Sequence, residues 1–213
     1  MKDAIITGVW ETLIMTFFAS LFSYAVGLPL GVVLYSTSKG RLLENRAVNA
    51  VIGTIVNITR SLPFLILLVL LIPFTRAIVG KSIGTTAAIV PLTIGAIPIV
   101  ARMVEASLSE VQPGIIEAST SMGASPVYTI LHFVIPEAMP SLLQGGAINV
   151  ATVLGYSAMA GVIGGGGLGA IALQYGYYRY DKPVLWTTVT LLIIMVMLIQ
   201  ELGIQLSKKH RKT

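Results

Sequence analysis

Apolar residues gather into five long runs along this chain, with polar residues filling the gaps. No charge occurs from Leu13 to Tyr35. About 20 consecutive apolar residues suffice for a helix to cross a bilayer, so this run predicts a spanning helix over 13–35. Gly27 and Gly31 lie four apart within it, around Pro29. Such a pair lets another helix approach closely, and it also occurs by chance in glycine-containing spans. A polar stretch from Ser36 to Asn49 follows, with Lys39, Arg41 and Arg46. The run from Val51 to Phe74 predicts a second span over 54–74, kinked at Pro63. Arg60, near its start, either snorkels to the interface or acts as an intramembrane charge.

A third span is expected over 83–101. Its prolines, Pro91 and Pro98, are tolerated because neighbours and water re-satisfy the freed carbonyls. A polar segment over 102–140 comes next, opening on Arg102 and Glu105, which can pair across one helical turn. No charge occurs between Ala138 and Tyr178, and the fourth span is placed over 148–168. The tyrosines that follow (Tyr175, Tyr177, Tyr178, Tyr180) suit a headgroup interface. A fifth span over 183–202 leads into a basic tail, 205–213, with Lys208, Lys209, Arg211 and Lys212. Such a tail suits a cytoplasmic anchor to anionic lipid.

Composition agrees with this pattern. Of 213 residues, 55% are hydrophobic and 11% charged, with a mean hydropathy of +0.86. Soluble domains carry roughly a quarter charged residues, so too little polar surface exists here to coat a globule. The fold class is an all-α polytopic membrane protein with five transmembrane helices, its permease-like body covering 8–204. The N-terminus lacks the form of a cleaved signal, because its apolar run is too long.

Five spans put the termini on opposite sides, and basic residues choose between the two orientations. With the N-terminus outside, the inner side receives Lys39, Arg41, Arg46, Arg60, Arg102, Lys208, Lys209, Arg211 and Lys212. The outer side receives Lys2, Arg76, Lys81, Arg179 and Lys182. Nine against five favours N-out, C-in, which puts 102–140 in the cytoplasm.

Several chemistries find no support. Cysteine is absent, which excludes disulfides and thiolate metal sites. His132 and His210 lack ligand-spaced partners, so no metal is expected. The net charge of +5 owes four of its bases to the tail, so nucleic acid is not implied. Gly80-Lys81-Ser82 resembles the end of a phosphate loop, but position 75 is threonine where that loop needs glycine. Gly164–Gly169 contains G-x-G-x-x-G without the strand or acidic partner of a dinucleotide site. That run reads either as a gate that glycine lets move or as close small-residue packing. Asn57-Ile58-Thr59 matches the glycosylation pattern by chance. No catalytic set is visible, no cofactor is expected, and no carboxylate falls at mid-membrane where proton-coupled carriers place theirs. Any nucleotide chemistry must come from another subunit.

The segment from Glu117 to Pro140 organises the rest. It holds Glu117, His132 and Glu137, and Gly123 and Pro126 break it into two short helices. Such a segment projects from the membrane towards a soluble partner. Its spacing, Glu117-Ala118-Ser119, then Gly123, then Ile135-Pro136, resembles the loop that importer-type ABC permeases insert into their ATPase subunits. Ser119 stands where that pattern has a second alanine, and Phe133 and Ile135 replace its usual aliphatic residues.

The likeness extends over nearly the whole chain through Gly8-Val9-Trp10-Glu11-Thr12, Arg60-Ser61-Leu62-Pro63-Phe64, Ile89-Val90-Pro91-Leu92-Thr93, Ala101-Arg102-Met103-Val104-Glu105 and Leu154-Gly155-Tyr156-Ser157-Ala158-Met159. The chain thus resembles the permease subunits of methionine ABC importers, of type I fold. The resemblance implies a bacterial inner-membrane homodimer of permeases, an ABC ATPase subunit dimer inside, and a periplasmic or lipid-anchored methionine-binding protein outside. Membrane lipid surrounds it. The resemblance assigns ATPase coupling to Glu117, Ala118, Ser119, Gly123, Ala124 and Pro136. A zwitterion with a thioether side chain needs no fixed charge in its path. Tyr156, Ser157 and Met159 are then expected either to line or gate that path or simply to pack. The other readings are an ABC permease for another small amino acid, or a gradient-driven secondary carrier.

Overall fold

The computed structural model describes residues 1–210. Among these, regular structure is entirely helical. Helix α1 (Lys2–Thr37) leads to α2 (Arg46–Ser61), α3 (Phe64–Leu70) and α4 (Ile72–Val79). Helix α5 (Thr85–Ser109) follows, then the short α6 (Pro113–Ser121) and α7 (Pro126–Thr129). A π-turn (Ile130–Val134) and α8 (Ile135–Glu137) continue α7 towards α9 (Met139–Ala160). Helix α10 (Gly167–Ile171) runs into a second π segment (Ala172–Tyr177), and α11 (Lys182–His210) ends the described chain.

Four helices, α1, α5, α9 with its 3-10 extension to Ile163, and α11, are long and apolar enough to cross a membrane. Helices α2 and α3 pass the same test only as a pair, and they meet at 103°. The expected kink at Pro63 is therefore a full break. Leu62 takes ψ 128, the extended setting that a following proline imposes, and the helix restarts beyond it. Arg60 falls in the last turn of α2, where the helix dipole favours a cation.

Small residues fix how the long helices lie together. A Cβ at Gly27 would sit 2.7 Å from Val100 Cβ, and one at Gly31 would sit 2.6 Å from the Ala101 carbonyl oxygen. The pair thus serves close approach of α1 to α5, and the rising numbers on both sides make these helices parallel. Helix α9 runs the other way. Gly146 meets the Tyr24 hydroxyl, whereas Leu168, just beyond the far end of α9, bonds Thr12. Gly203 of α11 packs on Ala147 and Ser207 bonds the Pro140 carbonyl, so α11 is antiparallel to α9. From α2 to α4 the chain descends along α5: Gly53 lies by Arg102, Phe64 by Gly95, and Thr75 shares a cavity wall with Ala87. One end of the bundle therefore carries α6–α8 and the C-terminus of α11, and the other carries the N-terminus.

The helices outlast the apolar runs that announced them. Helix α1 begins eleven residues before 13, and α5 continues to Ser109, so the first eight residues of the expected 102–140 loop are helical. The fourth helix is not one rod over 148–168. It starts at Met139 and stops at a turn over 164–166, inside the expected window. An uncharged run gives no mark of where a helix ends; here glycines with positive φ end it (Gly164 83°, Gly166 82°, Gly167 75°). Helix α11 extends past 202 through Lys208 and Lys209. Arg211, Lys212 and Thr213, the end of the basic tail, lie outside the described residues.

Arg102 joins α5 to the start of the broken segment. Its guanidinium donates to Glu105 Oε2 (2.6 Å), the Gly53 carbonyl (3.2 Å) and Asn57 Oδ1 (2.8 Å). The pairing with Glu105 follows the expected turn spacing. Arg102→Met is expected to lower complex stability by about 1 kcal/mol, a figure discounted because the pair is partly exposed. Lysine should not restore it, because one ammonium cannot serve three separated acceptors. Thermal denaturation of the two variants checks both statements.

Candidate functional site: the elbow between α5 and α9

Gln112 is extended and Pro113 opens α6 at N1, where a missing N–H costs nothing. The helix ends at Gly123. The Ala124 N–H donates to the Ser119 carbonyl (3.1 Å) and the Gly123 N–H to the Thr120 carbonyl (2.9 Å). This is a Schellman closure, and it requires left-handed backbone at Gly123, whose φ is 82°. A Cβ there would meet nothing within 4 Å, so the conformation and not the space calls for glycine. Ser125 then caps α7, accepting from the Tyr128 N–H (3.4 Å), with Pro126 at N1.

The two limbs are joined to each other and to the bundle. Ser119 is 1% exposed, and its hydroxyl contacts Thr129 Oγ1 at 3.3 Å, itself buried on the other limb. Ile115, Ile116, Ile135 and Leu142 pack on the buried cluster of Tyr35, Val104, Leu108, Val111 and Val134. Displacement of the elbow must therefore displace the ends of α1, α5 and α9.

The outward side is unlike the inward one. Glu117, Ala118, Gly123 and Pro136 are exposed, and Ala124 is half-buried. Around them stand Met122 (71% exposed), Val127, Tyr128 and Leu131, with the Tyr128 ring stacked on His132 at 4.0 Å. A small apolar surface bearing one carboxylate is thus held on a rigid two-limbed support, a form suited to insertion into a partner.

Tyr156, Ser157 and Met159 are not brought to one point. Tyr156 stacks on Phe64 of α3 at 4.2 Å and 5°, half-buried beside Thr59, Arg60, Gly95 and Ile99. Ser157 is buried and its hydroxyl donates to the Leu154 carbonyl of its own helix (2.7 Å). Met159 is exposed on another face, which it shares with Gly155, Thr152 and Ile148.

At the far end the glycine turn is stitched on three sides. Gly167 N–H donates to Glu11 Oε2 (2.7 Å), Leu168 N–H to Thr12 Oγ1 (2.9 Å) and Gly84 N–H to the Gly164 carbonyl (2.9 Å). Added Cβ atoms at Gly161 and Gly169 would overlap backbone atoms of Ala170 and Ala158. Of the two readings of this run, the geometry favours close packing.

The match to known proteins is extensive. Residues 27–203 fit the family described as binding-protein-dependent transport system inner membrane component. This chain belongs to that family. A probable D-methionine transport system permease protein MetI of Vibrio cholerae is 50% identical over 212 residues, covering 99% of this chain and 94% of that protein. The D-methionine transport system permease protein MetI of Escherichia coli K12 is 52% identical over 161 residues, covering 76% and 74%. A chain from inward-facing conformations of the MetNI methionine ABC transporter superposes with a TM-score of 0.97 at 50% identity, covering 99% of this chain and 97% of that one.

Within this transport component, Ser119 fills the place where the loop pattern has alanine. Ser119→Ala is expected to cost about 1 kcal/mol, because Thr129 loses a partner while the packing remains. Ser119→Leu should disrupt the elbow outright, since no space surrounds the buried hydroxyl. Thermal stability of the two variants separates these outcomes. The roles of Asn57, Glu11 and Thr12 were not legible beforehand. Their partners lie 45 to 156 residues away, and no local spacing announces them.

Proposed function

We propose that this chain is the permease subunit of an ATP-binding-cassette importer that carries methionine, in the L or D form or both, across the inner membrane. The observation that carries the reading is the near-complete superposition, at half identity, on a chain of a methionine ABC transporter. Two copies form the path, a separate ATPase dimer binds inside, and a methionine-binding protein delivers substrate outside.

The chain crosses the membrane five times. The descent of α2–α4 along α5 supports the fifth crossing, since α1 ends and α5 begins at opposite ends of the bundle. The excess of basic residues on the elbow side supports N-out, C-in. Glu117, Ala118, Gly123, Ala124 and Pro136 present the elbow to the ATPase, and Ser119 locks its limbs. ATP binding draws the two ATPase subunits together and the elbows with them. Because each elbow is packed on α1, α5 and α9, the helices shift as bodies between inward-open and outward-open states. The nucleotide selects between two states of the permease through its different affinity for each. Tyr156, with Phe64, and Met159 face the path, and Ser157 holds the helix that carries them.

The test is uptake of labelled methionine by proteoliposomes containing permease, ATPase and binding protein. Uptake should require ATP inside the complex and fail with an ion gradient alone. Gradient-driven uptake by the single chain would overturn the reading, and ATP-driven uptake of a different amino acid would overturn the substrate alone.

A further inference from the structure

A groove of about 380 Å³ lies between α1, α9 and α11 near the elbow end of the bundle. Leu142, Leu143, Val150, Ile199, Leu202 and Leu206 make its walls apolar. Glycines keep it open: any Cβ at Gly146 would stand 2.8 Å from the Tyr24 hydroxyl, and Gly203 lets α11 rest on Ala147. One polar atom interrupts the lining, the Tyr24 hydroxyl oxygen, which is buried and has no hydrogen-bond partner. An unpaired hydroxyl at membrane depth is costly, so it marks where a ligand bearing an acceptor gains.

The mouth of the groove has its own chemistry. Leu202 and Leu206 lie four apart on α11, and Lys209 comes three residues later on the same helical face. Lys208 stands beside it, and both lysines are exposed. Ser207 turns elsewhere, to the Pro140 carbonyl. An apolar trough, one buried hydroxyl within it and two ammonium groups at its elbow end match an amphiphile with an anionic head, acyl chains and ester oxygens. We propose that this groove is a binding site for one anionic phospholipid, its phosphate on Lys208 and Lys209 and an acyl chain against Leu202 and Leu206. A single lipid charge near a basic residue is a modest attraction, and the enclosed apolar contact makes the site selective over the bulk leaflet. The site is independent of what the transporter carries. It would tie occupancy to α9 and α11 at the end where α9 receives the elbow.

Native mass spectrometry of the intact permease–ATPase complex tests this, after exchange into phosphatidylcholine and titration with phosphatidylglycerol. The expected result is one tightly held phosphatidylglycerol per permease copy. Lys208→Glu/Lys209→Glu should weaken it about tenfold or more, and Tyr24→Phe, which keeps the ring and the packing, by a smaller factor of about three. Assembly of the complex should be unchanged in both. Equal retention of phosphatidylcholine and phosphatidylglycerol, or undiminished binding by the lysine variant, would overturn the proposal. So would efficient disulfide cross-linking between two Leu206→Cys copies, which would put a second copy of this chain over the groove.

Discussion

Glu117→Arg should reduce ATP-driven uptake by about 30-fold or more while leaving the permease folded and inserted. The magnitude corresponds to about 2 kcal/mol at a subunit contact where a partner charge becomes opposed. The residue makes this test clean. Glu117 is exposed on α6, and its carboxylate is among no hydrogen bonds or ion pairs recorded within the described chain. Its reversal therefore has no route to harm except through whatever docks on the elbow. Uptake assays paired with thermal denaturation separate the two effects. Unchanged uptake would show that the outward face of the elbow does not carry the coupling.

Gly169→Val should act in the opposite way, by removing the folded protein. A Cβ at 169 would overlap the Ala158 carbonyl and its Cα, which are backbone and cannot turn aside. Overpacking a core costs about 1–3 kcal/mol even where side chains can move. Here α9 and α10 would have to part, breaking the bonds from Glu11 and Thr12, so about 3 kcal/mol or more is expected. That corresponds to a fall of roughly 10 °C in Tm for a chain of this size. Gly155→Ala is the matched control. Nothing lies within 4 Å of a Cβ there, and alanine is the better helix former, so stability should rise slightly. A thermal scan of the detergent-solubilised complex reads both variants. Near-equal Tm values would mean that the glycine hairpin yields, restoring the mobile-gate reading of this run.

What the sequence disclosed and what it hid divide along one line. Features fixed by neighbours in the chain were legible. The Gly27/Gly31 pair has the four-residue spacing of a close helix contact, and Arg102 and Glu105 lie one turn apart. Gly123 followed by Ser125-Pro126 reads as one helix ending and another beginning, and the Schellman closure and serine cap are the geometry of that reading. Contacts between distant segments were hidden. Asn57 looked like a chance glycosylation match, yet it accepts from Arg102. Glu11 looked like a residue at a membrane boundary, yet it caps the glycine turn. Hydrophobicity locates what must lie in lipid and is silent on where a helix ends, so α5 and α9 each reach several residues beyond their apolar runs on the elbow side. That difference matters for mechanism. The elbow hangs directly from two long helices and not from a slack loop, which is why a push at α6 can reach the far end of the bundle.

The most direct test of the central claim places a photo-cross-linking residue at Met122, on the outer face of the elbow, and another at Tyr180, at the opposite end of the bundle. Both side chains are exposed, at 71% and 84%, so neither position disturbs packing. In the assembled transporter, Met122 should cross-link to the ATPase subunit and Tyr180 should not. An ATPase adduct at Tyr180, or none at Met122 in a complex that still transports, would contradict the account.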